Sequence, residues 1–286
     1  MGYKQVARDI KQLKIQGAQN IALRAVNSLI SCKKYEHIDE AIKLLSAARP
    51  TEPCLYNTLL FATHNLNKRN YKKELKQRIK KIELYFKESN KLIAEYGARK
   101  IKQGHNVFTH CHSSTVVNVL KRANRAVKFT VHNTETRPFL QGRTTAKELA
   151  KAGIKVIHYV DAAARFAIKR SDVVLFGCDA ITSEGFIVNK IGSEMFAQIA
   201  ESYRVPVYIC TVSWKYDPAT EFGFDEKLEQ RFYTEVWRNP PKGVKISNIV
   251  FEKIHPSLVT GIISELGIFS VDRFVEEVTR AYPWFL

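Results

Sequence analysis

The sequence predicts an α/β fold: a helical N-terminal domain over residues 1–104, then a Rossmann-like parallel-sheet domain over residues 105–286. Three observations predict it. Up to Gln103, Lys, Glu, Leu and Ile recur at helical spacing with few β-branched runs. After Gly104, short apolar runs alternate with amphipathic segments, as strands and helices do when they take turns. The charge divides at the same point. Residues 1–105 carry 22 basic and 9 acidic side chains, whereas residues 106–286 carry 23 and 19.

In the first part, helices are expected over 2–14, 18–31, 37–47, 54–66 and 72–102. The stretch Arg49-Pro50-Thr51-Glu52-Pro53 interrupts them, because two prolines so close together cannot sit inside a helix. In the second part, 106–111 reads as a strand, 114–124 as a helix, 128–133 as a strand, 145–152 as a helix and 155–160 as a strand. Asp161 is a suitable N-cap for a helix over 162–169. Further strands are expected over 172–177, 205–211 and 249–252, with a helix over 192–203. The alternation implies a parallel sheet with helices on both faces.

At 286 residues, with 45% hydrophobic and 26% charged side chains, the chain can bury a substantial core and is neither collagen-like nor mostly disordered. Its five cysteines form an odd set without a CxxC pair, which argues against a disulfide scaffold or zinc ribbon and for a reducing compartment. No apolar run approaches the ~18 residues of a membrane span, and Met1–Ile10 has no signal core. Val6 stands where a myristoylation signal needs Ser or Thr. A soluble, cytoplasmic protein is expected. Most of the net charge of +17 belongs to the first third of the chain, and its densest stretch, over 67–102, attracts polyanions, RNA and phosphorylated metabolites among them. A solvated helix face is the ordinary alternative, and nucleic acid is not the favoured partner.

Parallel sheets bind ligands beyond the carboxyl ends of their strands. Those ends hold Thr109–Ser114, Asn133–Arg137, Asp161, Gly177–Asp179 and Thr211–Lys215. Cys111 stands where a strand meets a helix opened by Ser113, Ser114 and Thr115; free amides and the helix dipole there favour a thiolate and phosphate oxygens. Core filler is the alternative for this thiol, and the better reading of Cys178 and Cys210. Asp179 ends a buried strand, where a carboxylate is costly unless paired, used or spent on a cap. Asn189 and Lys190, followed by Gly192, offer an amide and a cation before another helix. Arg137 and Arg143 bracket a loop and suit an anion or a surface salt bridge. His110 and His112 straddle Cys111, and strand alternation points both rings away from it; His132 lies nearby. No metal-binding spacing accompanies the three histidines, so no metal is expected.

The blocks THCHSS, TETRPFLQGR with TAKELAKAGI, VDAAARF, GCDAITSEG with NKIGS, TVSWKYDP and GIISELGIFS together resemble one family. It comprises archaeal ribose-1,5-bisphosphate isomerase, methylthioribose-1-phosphate isomerase and the α, β and δ subunits of translation initiation factor 2B. The likeness runs from about residue 10 to the C-terminus and is most similar to the first of these. The resemblance implies Cys111 as proton acceptor and Asp179 as proton donor. It implies substrate contacts from Ser113, Ser114, Thr115, Asn189, Lys190 and Lys215, a phosphate contact from Arg49, and dimers that assemble further into homo-oligomers. The family's early Arg-Gly-Ala-Gly phosphate loop aligns with Gln16, Gly17, Ala18 and Gln19, where this chain has lost the arginine. Loss of that contact costs about 1.5–3 kcal/mol, or roughly ten- to a hundredfold in affinity. The implied reaction turns ribose 1,5-bisphosphate into ribulose 1,5-bisphosphate in nucleotide (AMP) salvage and needs no redox cofactor or metal. The alternatives are a non-catalytic regulatory subunit of initiation factor 2B type and a methylthioribose-1-phosphate isomerase. His112 replaces the Asn common after the thiol.

Overall fold

The computed structural model describes residues 1–222 and 231–285. Five helices come first: α1 (Tyr3–Lys11), α2 (Ala18–Ser28), α3 (His37–Ala48), α4 (Pro53–Thr63) and α5 (Tyr71–Ala98). Each bounds an expected segment within a few residues. Pro53 starts α4 at the first helical position, where its missing N–H is no loss. Apolar residues spaced three and four apart bury one face of α5, including Leu75, Ile79, Ile82, Phe86 and Ile93.

The second part follows as β1 (Asn106–Thr109), α6 (Ser114–Ala123), β2 (Thr130–Thr134), α7 (Gln141–Lys151), β3 (Lys155–Tyr159), α8 (Ala164–Ile168) and β4 (Val173–Phe176). Then come β5 (Ala180–Ile181), β6 (Ile187–Lys190), α9 (Ser193–Ser202), β7 (Val207–Cys210), β8 (Phe251–Ile254), β9 (Gly261–Ser264), β10 (Gly267–Phe269) and α10 (Val271–Ala281). Seven strands form the main sheet in the order β10-β9-β7-β4-β1-β2-β3. All neighbours in it are parallel except the β9–β10 hairpin at the edge. The chain steps outward from β1 to β3, then returns to lay β4 against the other side of β1. That reversal is the switch point where ligands bind in doubly wound sheets. Buried side chains from both parts form one continuous core, running from Val6 and Ile10 through Val107 and Phe176 to Phe274.

Several expectations are corrected. The 249–252 strand lies, shifted, in a second, three-stranded antiparallel sheet (β5-β6-β8) and not beside the parallel strands. Asn189 and Lys190 are on strand β6 of that sheet. Asp161 caps no helix; its two carboxylate oxygens accept the backbone N–H groups of Thr136 and Arg137 at 2.8 and 2.7 Å. Helix α7 starts at Gln141, four residues ahead of the expected start.

Gly142 makes that early start tight. A Cβ there would lie 1.7 Å from the Thr134 carbonyl oxygen, so α7 could not dock on the end of β2. Gly142→Ala should therefore destabilise the protein by about 1–3 kcal/mol. A thermal melt followed by circular dichroism should show a fall of roughly 2–4 °C per kcal/mol; an unchanged midpoint would contradict this packing.

Candidate active site

β1 and β4 are direct neighbours, so the residues that follow them meet. Two residues beyond β1 stands Cys111, with φ 64°, a left-handed conformation uncommon for a side chain other than glycine. Its N–H donates to Thr136 Oγ1 at 3.0 Å, and its carbonyl accepts from Thr145 Oγ1 at 2.8 Å. Asp161, holding Thr136 and Arg137, fixes the loop that fixes Cys111. Three residues beyond β4, Asp179 is half-buried, and its N–H donates to Val188 O on β6 at 2.8 Å. The small sheet therefore sets the carboxylate and also delivers Lys190, one strand position after Asn189.

Electrostatics tie these groups together. Lys190 is 4% exposed, with Nζ 4.4 Å from the centroid of the Phe251 ring. Burial pulls its ammonium below the ordinary lysine value, Cys111 and Asp179 support it, and Arg231 and Arg49 oppose it. Lys215 stands at the end of a 3₁₀ turn after β7 and donates to the Cys178 carbonyl. Burial alone would pull its ammonium down, but Cys178, Asp179, Glu52 and Cys54 outweigh that and raise it. Arg49 and Glu52 come from the turn between α3 and α4 and pair at 3.9 Å, with side chains 13% and 2% exposed. Asn57 of α4 clamps this helix to the Lys215 turn by donating to the Trp214 and Tyr216 carbonyls at 3.0 and 2.8 Å.

The thiol is not depressed as the sequence suggests. Cys111 is half-buried as a residue, but its sulfur is enclosed. Burial pushes the thiol up to about 11, against the lowering by Lys190 and the His112 amide. Burial wins because the opening of a helix is a fractional charge, while desolvation of a thiolate acts in full. Cys178 is raised to about 11 and Cys210 to about 12, also by burial, in keeping with structural thiols; the Cys178 thiol donates to Thr211 Oγ1 at 3.1 Å. All five cysteines are free.

The three histidines are spent within the protein. His110 is buried and held down to about 4 by desolvation; Nε2 lies 3.0 Å from the Ile191 carbonyl and Nδ1 2.5 Å from Thr134 Oγ1. His112 instead meets Thr145 Oγ1 at 3.0 Å. The two rings thus go to different partners, because β1 ends at Thr109 and strand alternation does not reach Cys111. His132 bonds Tyr159 and Asn106. Among the described residues no group of His, Cys, Asp and Glu is arranged to hold a metal.

Of the sequence candidates, Cys111, Asp179, Lys190, Lys215 and Arg49 come together, with Asn189 next to Lys190 but turned to Ser193 Oγ at 3.0 Å. Ser113 is the N-cap of α6 and lies against Gly177, where a Cβ would meet its Oγ at 2.6 Å. Thr115 is buried and Ser114 exposed. Other candidates point elsewhere. Arg143 pairs with Glu135 at 3.5 Å, Arg137 reaches the Val236 carbonyl at 3.4 Å, and Gln16 turns its amide to the Leu13 carbonyl at 2.8 Å. Gly17 (φ 83°) precedes Ala18 at the start of α2, and Gln19 exchanges amide hydrogen bonds with Asn90 on α5. The sequence reading missed Glu52 and Arg231. A carboxylate locked between two prolines just before a helix was the available signal for Glu52; Arg231 had none.

A doubly wound sheet with a thiol, a carboxylate and buried cations at its switch point defines an α/β protein with a polar, cation-rich site. The chain belongs to the initiation factor 2 subunit family, whose pattern matches residues 2–271. It is 35% identical over 309 aligned positions to a Thermococcus kodakarensis protein named ribose 1,5-bisphosphate isomerase, covering 99% of this chain and 95% of that one. It is 32% identical to a Thermosipho africanus protein named methylthioribose-1-phosphate isomerase, over 93% of this chain and 86% of that one. Among solved structures it resembles a translation initiation factor eIF-2B of Pyrococcus horikoshii OT3, with a TM-score of 0.85, 27% identity, and coverage of 96% and 98%.

Proposed function

We propose that this chain is a sugar-phosphate aldose–ketose isomerase acting on ribose 1,5-bisphosphate, with Cys111 and Asp179 as its acid–base pair. The observation that carries the reading is the juxtaposition of thiol and carboxylate at the ends of the paired strands β1 and β4, with Lys190 in electrostatic contact with both. A binding module has no need of that pair, which tells against a purely regulatory subunit. The similarity to proteins named ribose 1,5-bisphosphate isomerase supports the substrate class.

The chemistry follows from the substrate. A phosphate on the anomeric oxygen leaves no hydroxyl at C1 to start ring opening, so an acid must protonate the ring oxygen as its bond to C1 breaks. Asp179 gives that proton. Cys111 takes the C2 hydrogen, which leaves an enol between C1 and C2, and returns a proton to C1. The C2 hydroxyl loses its proton as the ketone forms, restoring the carboxyl. Atoms balance without an outside redox partner. Lys190, Lys215 and Arg49 hold phosphate and hydroxyl oxygens, with Ser113 and Ser114 at the opening of α6 beside Cys111; Thr115 and Asn189 support these elements from within. A place in AMP salvage, a cytoplasmic location and homo-oligomer assembly belong to the same reading.

A thiol near 11 makes the working thiolate about 10⁻⁴ of the enzyme at pH 7, scarce but strongly basic.

The second reading is methylthioribose 1-phosphate as substrate, favoured by the neutral Gln16 and its turn toward Leu13. Comparing kcat/KM of the purified protein for the two sugar phosphates decides between them. Preference for the bisphosphate supports the first reading, and preference for the methylthio sugar replaces it.

A further inference from the structure

The basic run that the catalytic reading leaves unused is ordered in space. On a helix of 3.6 residues per turn, Lys73, Lys76, Lys80, Lys87 and Lys91 of α5 fall within about 40° of one line, over about 27 Å of helix. All five are exposed. None of them forms an ion pair among the described residues. Lys68 and Arg78 do, with Glu36 at 2.6 Å and Glu74 at 3.9 Å, and Arg78 stands on the opposite side of α5. At its C-terminal end the line enters a groove between α5 and α6, lined by Asn90, Lys91, Glu95, Asn118, Arg122 and Arg125. Among the described residues Arg122 and Arg125 likewise have no acidic partner, although Lys121 beside them pairs with Glu148 at 3.1 Å.

We propose that this lysine line and the α5–α6 groove form a binding track for single-stranded RNA, held through its phosphates. The shape selects the ligand. Glu83 and Glu88 flank the line at about 60° on one side and about 80° on the other. A flat anionic surface would press on both carboxylates, whereas a thread along the lysines avoids them. A compact phosphorylated metabolite would use only one or two of the five cations. The line carries no aromatic residue on which bases could stack, so recognition is through the backbone and independent of sequence.

The test is fluorescence anisotropy with a labelled polyuridine of about 20 nucleotides, titrated with the full chain between about 50 mM and about 200 mM salt. Five to seven phosphate contacts give a slope of log affinity against log salt of about −3.5 to −5. The variant Lys80→Gln/Lys87→Gln/Lys91→Gln should lose roughly tenfold or more in affinity, and its slope should flatten by about 2. A control with the same charge change off the track, Lys33→Gln/Lys34→Gln/Lys43→Gln, should bind like the wild type. Circular dichroism and turnover of sugar phosphate should be unchanged in both. Equal losses in the two variants would show a diffuse charge effect and overturn the track. So would no binding at low salt, or binding to phosphatidylserine vesicles without binding to RNA.

Discussion

Cys111→Ser should lower kcat by roughly 10³-fold or more, with KM changed far less. The substitution keeps the size and the backbone contacts, since the main chain at 111 is held by Thr136 and Thr145 through its N–H and carbonyl. It replaces a thiol raised to about 11 by a hydroxyl that does not ionise in the accessible range. The base disappears while the binding cations stay. Stopped-flow or coupled assay of purified protein reads the split, and a melt confirms the fold. A tenfold loss or less would remove the thiol from the proton-transfer step.

Asp179→Asn is the second large effect, with kcat reduced by roughly 10²–10⁴-fold. The amide can donate a hydrogen bond to the ring oxygen but cannot give up a proton. Once it has given up its proton, Asp179 is also a counter-charge for Lys190 and Lys215, so the variant leaves one buried and one half-buried cation with less support. KM should therefore move too, in a direction that distinguishes the two consequences. Tighter phosphate binding with lost kcat fits an uncovered cation pair beside a missing acid. Unchanged kcat with weaker binding would make Asp179 a structural counter-ion only.

Much of this arrangement is legible in the residues, and where it is not the reason is physical. Helical spacing marks α1–α5, and the strand-end rule singles out Cys111 and Asp179 without the pairing of β1 with β4. Alternation failed at His110 and His112 because Cys111 leaves the strand conformation at φ 64°. Propensity cannot announce a turn that Thr136 and Asp161 enforce from 25 and 50 residues away. β5 and β10 are two and three residues long, too short for a period to show. The direction of the thiol shift was missed because burial is a property of the assembled core, while the helix start is visible locally. Arg143 in the sequence suits an anion or a surface salt bridge, and in the structure it pairs with Glu135.

The central claim is that Cys111 removes the C2 hydrogen as a proton. The direct measurement is turnover of ribose 1,5-bisphosphate carrying deuterium at C2, followed by NMR of the product and of the water. The account predicts ribulose 1,5-bisphosphate, a primary isotope effect, part of the deuterium released to solvent, and no product from Cys111→Ser. A product that keeps all its deuterium at C1, formed equally well by Cys111→Ser, would mean hydride migration without a thiol base, and a folded wild type that turns over neither sugar phosphate would contradict the isomerase itself.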